Sequence, residues 1–209
     1  MRKITLLAAT AALVLASCAG NPEGKKADTK DSVVVENQVS GDAFTVDTAQ
    51  SSVVWTGTKV TGSHTGTVAI KSGNVIVENG VIKGGKFVLD MNTISSTDLE
   101  GEWKEKLDGH LKADDFFAVE TYPEASFEIT EVKAGATPSD LVVSGNLTIK
   151  GITKNITFDA KAEEVTDNTV KYSADFNIAR EDWGVTYEGK KDDLISKEIN
   201  FKVNVVANK

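Results

Sequence analysis

The sequence predicts an all-β fold, a closed antiparallel β-barrel of about eight strands with a small helical insert. From Phe44 onward apolar and polar residues alternate with period two, most regularly over residues 199–205. Turn signals such as Asn79-Gly80 separate the runs, and the short connections favour antiparallel pairing. A long antiparallel sheet with one apolar face must pack on another sheet or close on itself, and closure is the more economical solution.

The first segment of the chain has the pattern of a lipoprotein signal peptide over residues 1–17. Met1-Arg2-Lys3 is positively charged, residues 6–15 are mostly apolar or small, and the stretch is too short to span a membrane. Leu15-Ala16-Ser17-Cys18 resembles the bacterial lipobox, which predicts acylation of Cys18 (palmitate) and anchoring in the cell envelope. Ala19 is not an acidic retention residue, which favours the outer membrane, facing the periplasm. The alternative is an ordinary export signal followed by an unmodified thiol.

Residues 18–42 are predicted to be the lipidated cysteine and a flexible linker. This stretch is polar and lacks a sustained apolar periodicity. A flexible chain of about 24 residues spans roughly 27 Å root-mean-square. The folded domain is therefore expected over residues 43–209.

Within that domain, alternating strand patterns are separated by clusters of turn residues. Asn79-Gly80 predicts a hairpin between strands at 75–78 and 81–89. Further turn signals lie at Ser72-Gly73-Asn74, Lys83-Gly84-Gly85, Lys150-Gly151 and Asp167-Asn168.

One segment departs from the strand pattern and predicts a helix. Thr97-Asp98-Leu99-Glu100 fits a capping box, and Tyr122-Pro123 returns the chain to a strand. Apolar residues four apart predict one buried helical face: Leu99, Trp103, Leu107 and Leu111.

Charge and motif content argue against nucleic-acid binding and against catalysis. Removal of Arg2 and Lys3 with the signal peptide changes the formal charge from −8 to −10, which repels phosphate backbones. No phosphate-binding, dinucleotide-binding or hydrolase motif is present, so the protein is expected not to be an enzyme and to need no cofactor.

Three polar groups remain as candidates. A zinc site would need His64 and His110 to meet together with Asp114 or Asp115. The preferred interpretation places His64 in a loop and His110 at a helix end, bonding a backbone carbonyl. Arg180 could hold an anionic or carbonyl head group, or could pair with Asp182 at a strand end.

Ordered motifs across residues 43–209 resemble the YceI-like, or polyisoprenoid-binding, domain family. The motifs are Phe44-Thr45-Val46-Asp47 with Val54-Trp55, Gly62-Ser63-His64-Thr65-Gly66, Gly84-Gly85-Lys86-Phe87-Val88-Leu89-Asp90-Met91, Leu107-Asp108-Gly109-His110-Leu111-Lys112, Asp114-Asp115-Phe116-Phe117, Tyr122-Pro123-Glu124-Ala125-Ser126-Phe127, Gly145 to Thr153, and Arg180-Glu181-Asp182-Trp183-Gly184-Val185.

The resemblance implies a lipocalin-like barrel that holds a long isoprenoid chain, as in quinones or polyprenyl lipids. Such a chain offers only apolar area, so inward-facing strand residues are the candidate ligand contacts: Val53, Trp55, Phe87, Leu89, Phe127, Ile129, Phe158, Phe176, Ile178 and Phe201. A wall or lid would come from Leu107, Leu111, Phe116 and Phe117. The polar candidates for the mouth are His64, His110, Arg180 and Asp182. Alternatively, these apolar residues fill a solid core.

The expected function is non-catalytic sequestration, transport or storage of an isoprenoid lipid by a membrane-anchored protein. One alternative is an envelope structural or stress-response module with a packed barrel and a protein partner. Another is a hydrolase or isomerase of isoprenoids that uses His64 or His110. The oligomeric state is open, a homodimer included.

Overall fold

The computed structural model describes residues 20–35 and 40–209, so Cys18 and the signal segment lie outside the described residues. The strands are β1 (Lys25–Lys26), β2 (Asp28–Asp31), β3 (Asp42–Val46), β4 (Ser52–Lys59), β5 (Gly62–Glu78), β6 (Val81–Ser96), β7 (Glu124–Ala134), β8 (Asp140–Ile149), β9 (Ile152–Val165), β10 (Thr169–Ala179), β11 (Gly189–Lys190) and β12 (Asp193–Asn208). A helix, α1 (Gly101–Lys112), and a 3-10 helix (Arg180–Trp183) complete the order.

Eight strands form a closed antiparallel barrel, which confirms the predicted fold. Neighbours pair in the order β4-β5-β6-β7-β8-β9-β10-β12, and β12 pairs with β4 to complete the circle. One end of the barrel carries the β4–β5 turn, the connection containing α1, the β8–β9 turn and the β10–β12 connection. This end is called the α1 end below.

Two predicted hairpin turns are confirmed, and both contain left-handed residues. Asn79 and Gly80 have φ angles of 53° and 76°, and Lys150 and Gly151 have φ angles of 51° and 72°. Two consecutive positive φ values are the signature of a tight turn whose twist matches the flanking strands.

The turns predicted at 72–74 and 83–85 are wrong, because β5 and β6 run through both segments. A Cβ on Gly85 would lie 2.6 Å from the Asn74 carbonyl oxygen, and one on Gly73 would lie 2.9 Å from the Val46 side chain. These glycines permit close approach of neighbouring strands instead of reversing the chain. Register shifts between β5 and β6 mark the same region.

The helix is shorter than predicted and buries a smaller face. It begins at Gly101, and its N-cap, Glu100, makes no side-chain capping bond. Asp98 instead accepts hydrogen bonds from His64 and from the Thr65 backbone. Of the predicted apolar face, Trp103 is 69% exposed, so its assignment to the buried side is wrong.

Residues 20–35, called the strap below, correct the linker prediction for this part of the chain. β1 pairs in parallel with β10, and β2 pairs antiparallel with β9. β9 and β10 pair directly only over a short stretch, which runs from the Val165–Val170 pair to the Ala160–Ala174 pair. From there towards the α1 end, the strap lies between the two strands. Ala27, which is 4% exposed, donates its N–H to the Asn177 carbonyl at 2.8 Å.

Residues 42–46 form β3, which joins β5 and β12 at the end of the barrel opposite the α1 end. β3 pairs with β5 and, through Val46, with Ala207 of β12. No helix among the described residues is long and apolar enough to cross a membrane.

Candidate ligand cavity

The barrel encloses a cavity of about 200 Å³ whose wall consists almost entirely of apolar atoms. A band of phenylalanine rings from five strands crosses it. Phe158 and Phe176 stack with ring centroids 4.1 Å apart and an interplanar angle of 13°. The band continues on one side to Phe127 and Phe87, and on the other to Phe201. A dry cavity of this kind favours an apolar occupant, because its wall offers few hydrogen-bond partners to water.

Twelve of the fourteen residues predicted to contact a ligand line this cavity. They are Val53, Trp55, Phe87, Leu89, Leu111, Phe116, Phe117, Phe127, Ile129, Phe158, Phe176 and Phe201. Ile178 is buried in the core away from the cavity wall, and Leu107 is partly buried against the core.

Sequence reasoning missed the contribution of β8 to the cavity wall. Leu141, Val143, Leu147 and Ile149 line it, and they alternate with outward-facing residues. The same period-two signal that identified the other strands was present here, interrupted at the inward position of Gly145. The Phe127 ring lies over Gly145 and occupies the space that a side chain there would need.

The chain after α1 covers the cavity at the α1 end. Leu111 is buried, and the Phe117 N–H donates to the Leu111 carbonyl at 3.2 Å. Phe116 and Phe117 pack edge to face at 5.0 Å, and both line the cavity. This aromatic pair therefore lines the cavity where the sequence predicts a wall or lid, positioned by the tight turn that ends the helix, and it is called the lid below.

Arg180 lies at the cavity wall as a buried cation, and its predicted pairing with Asp182 is wrong. Its Nε donates to the Ser196 carbonyl at 2.8 Å, and its Nη1 donates to the Val185 carbonyl at 2.6 Å. Within the described ranges it forms no ion pair with a carboxylate. Burial lowers the pKa of the guanidinium from its usual value. These two bonds give Arg180 a structural role, because the first fastens the 3-10 helix to β12 and the second holds the segment that follows the 3-10 helix.

The two histidines lie in separate polar contacts, and the loop predicted for His64 is wrong because His64 belongs to β5 and pairs with Gly57 of β4. His64 Nδ1 lies 2.9 Å from Asp98, and His110 Nε2 lies 3.2 Å from Asp115. The His110 ring packs edge to face on Tyr187, so it contacts a carboxylate and an aromatic ring in place of the expected backbone carbonyl. Across residues 20–35 and 40–209 no group of three potential metal ligands is present.

The remaining polar candidates contribute little to the cavity. His64, His110 and Asp182 do not line it. Tyr172, which the sequence did not single out, does line it, and its buried hydroxyl has no hydrogen-bond partner in the described structure. Burial raises the pKa of Tyr172 to about 12.

Fold and cavity together define a closed eight-stranded antiparallel barrel around an apolar interior. The profile of the YceI-like domain matches residues 44–207, which cover nearly the whole barrel. The chain therefore belongs to the YceI-like domain family.

Curated relatives align over a shorter stretch. A "UPF0312 protein" of Pseudomonas aeruginosa is 42% identical over 69 residues, covering 33% of this chain and 35% of the relative. "Protein YceI" of Escherichia coli O157:H7 is 38% identical over 69 residues, with the same coverage. The aligned region thus spans about a third of the length of these relatives.

Solved structures share the fold at low sequence identity. BcnA of Burkholderia cenocepacia superposes with a TM-score of 0.61 at 22% identity, over 78% of this chain and 99% of its own. A polyisoprenoid binding domain from Saccharophagus degradans gives a TM-score of 0.62 at 16% identity, over 79% and 97%. These similarities establish the barrel architecture.

Proposed function

We propose that this protein binds an isoprenoid lipid inside its barrel and holds that lipid, without catalysis, at a membrane to which Cys18 is anchored. The observation that carries the proposal is the apolar cavity crossed by the phenylalanine band. The name of the Saccharophagus degradans neighbour supports the isoprenoid class of ligand.

The character of the cavity wall suits a hydrocarbon chain and leaves the head group outside. An isoprenoid chain gains about 25 cal/mol for each Å² of apolar surface removed from water. The wall offers almost no polar surface that would repay the burial of a pyrophosphate or a hydroxyl. The chain therefore enters the cavity, and the head group stays at an end of the barrel.

The volume of the cavity limits how much of the chain fits. About 200 Å³ exceeds the volume of roughly 150 Å³ in which an engineered apolar cavity holds benzene. A few isoprene units fill such a space, and a longer chain must extend beyond it or displace the Phe116–Phe117 lid. Affinity should therefore increase with chain length until the cavity is full and then level off.

Native mass spectrometry of the protein purified from its own membranes tests the proposal directly. A co-purifying isoprenoid lipid, or uptake of an added quinone or polyprenol, is the expected result. Absence of both would overturn ligand binding, and an unmodified Cys18 in the same spectra would overturn the lipid anchor. The packed-barrel alternative expects a filled interior, and the cavity argues against it.

The catalytic alternative has a separate test. His64 and His110 are each half-buried, and each contacts a carboxylate at the periphery of the barrel. Replacement of both by alanine should leave lipid binding unchanged. Conversion of an added isoprenoid by the wild type, lost in the double variant, would establish an enzyme instead.

A further inference from the structure

The strap begins at a fixed place on the α1 end of the barrel. Thr58, near the end of β4, donates its hydroxyl to the Gly20 carbonyl at 2.5 Å. Ser196, near the start of β12, donates to the Asn21 side-chain oxygen at 2.7 Å. Two peptide units separate Cys18 from Gly20, and they reach at most about 8 Å between Cα atoms. An anchor on Cys18 therefore lies beside the α1 end.

The same end displays exposed apolar side chains on several connections. Trp103 on α1 is the most exposed of them, at 69%. Val60, in the β4–β5 turn, donates its N–H to the carbonyl of Leu194, so these two exposed residues are neighbours. Two more exposed apolar residues flank the β8–β9 turn region, Tyr122 and Ile152. The opposite end displays Val81 and Val165.

Three acidic groups at the α1 end are paired with lysines, which lowers the charge repulsion that these three groups would add. The pairs are Lys59–Asp193 at 2.6 Å, Lys104–Asp108 at 2.9 Å and Lys106–Glu102 at 2.6 Å. Lys106 also lies 5.0 Å from the centre of the Trp103 ring. Tryptophan rings are enriched at the level of lipid head groups, where one edge of the ring is in an apolar and the other in a polar environment.

We infer that the α1 end docks on the surface of the bilayer that holds the Cys18 anchor, with Trp103 in the head-group region. This inference rests on the proposed lipid anchor and adds a defined orientation to it. Leu111, Phe116 and Phe117 lie at this end and close the cavity. Docking therefore presents the lid to the bilayer, where an isoprenoid chain can pass between membrane and barrel without crossing water.

Tryptophan fluorescence tests the orientation, because Trp55 and Trp183 are buried and Trp103 is exposed. The full-length protein is reconstituted in phosphatidylcholine vesicles whose acyl chains carry bromine near the head group. Contact quenching should lower the Trp103 emission, because an interfacial ring lies at the level of the bromine atoms. Trp103→Phe retains the buried pair and measures quenching by lipid that enters the cavity.

A second variant places the same probe at the opposite end. Val81→Trp, combined with Trp103→Phe, should show no more quenching than Trp103→Phe alone. Equal or stronger quenching at position 81 than at position 103, or none at position 103, would overturn the docking.

The proposed anchor and the proposed docking can each be refuted without the other. Mass spectrometry of the purified protein reports the acylation of Cys18. If the thiol is unmodified, the proposed anchor is wrong. Because Cys18 is the only cysteine of the chain, a maleimide-headgroup lipid coupled to it then supplies the anchor, and the quenching comparison still decides the docking.

Discussion

Asn177 is the most deeply buried of the side chains that fasten the strap to the barrel, and its replacement by alanine should loosen the strap. Its Nδ2 lies 2.9 Å from the Pro22 carbonyl and 3.3 Å from the Gly24 carbonyl. Its Oδ1 accepts from Asn200 Nδ2 at 2.9 Å, and Glu198 provides a third acceptor for the amide. The side chain is almost fully buried, so water cannot replace these partners while the strap is in place.

The expected loss follows from the number of bonds removed. An amide NH₂ has two hydrogens, so Asn177 donates two bonds at once and accepts one from Asn200. The bond with Asn200 lies within the barrel, so at most two of these bonds, to the Pro22 and Gly24 carbonyls, hold the strap. At a net value of about 1 kcal/mol each they give about 2 kcal/mol, which is on the order of thirtyfold in an equilibrium constant. The barrel keeps the direct β9–β10 pairing, so the loss should fall on the strap.

Hydrogen exchange at the Ala27 amide measures this loss. That amide donates to the main-chain carbonyl of Asn177, so the hydrogen bond itself survives the substitution. Its exchange in Asn177→Ala should be on the order of thirtyfold faster, while amides of β5 and β6 keep their protection. Asn204→Ala, at an exposed position of β12, is the matched control. An unchanged Ala27 rate, or equal loss of protection in the barrel strands, would refute the reasoning.

Three further predictions concern the cavity, the sheet and acid stability. Phe127→Trp should block uptake of a polyprenol while the thermal unfolding midpoint stays close to that of wild type; normal uptake would contradict the cavity assignment. Gly66→Ala should destabilise the protein by about 1–3 kcal/mol in urea unfolding, because the added methyl group meets the Trp55 ring and the neighbouring strand, whereas Gly62→Ala has open space and should be neutral. Partial burial opposes ionisation of Asp108, but hydrogen bonds, chiefly from Ser96, outweigh it and lower the pKa to about 2. The stability this gives, about 2 kcal/mol, should be present above pH 4 and lost as the pH falls from 4 to 2, and Asp108→Asn should remove this slope.

The barrel could be predicted from sequence because strand faces repeat locally. Phe87 and Leu89, or Phe127 and Ile129, face the cavity for the same reason that they alternate with polar neighbours. The buried face of the helix was harder to predict, because the four-residue spacing that includes Trp103 is equally compatible with an exposed apolar side chain. Spacing alone does not distinguish a core-facing residue from one that faces another partner.

The strap could not be predicted, because its stabilisation comes from distant residues. Asp28-Thr29-Lys30-Asp31 has a poor composition for a strand, yet it forms β2 against residues 154–157 of β9. The separation of β9 from β10 leaves backbone groups that the strap pairs, and buried Asn177 adds side-chain bonds. Neither feature is visible in the local sequence of residues 20–35.

No strap residue lines the cavity, but the strap completes the sheet beside it, which links the strap to ligand retention. Lys25 is in register with Phe176, and Asp28 is in register with Thr157, next to Phe158. The strap therefore fills the seam between β9 and β10, the two strands that carry the Phe158–Phe176 stack. Asn177→Ala should loosen the strap and also speed the release of a bound polyprenol to acceptor vesicles. The reason is that an open seam between β9 and β10 leaves a gap in the sheet that surrounds the cavity. Measured release rates that match those of wild type and Asn204→Ala, in a variant whose strap is demonstrably open, would show that β9 and β10 retain the chain without the strap.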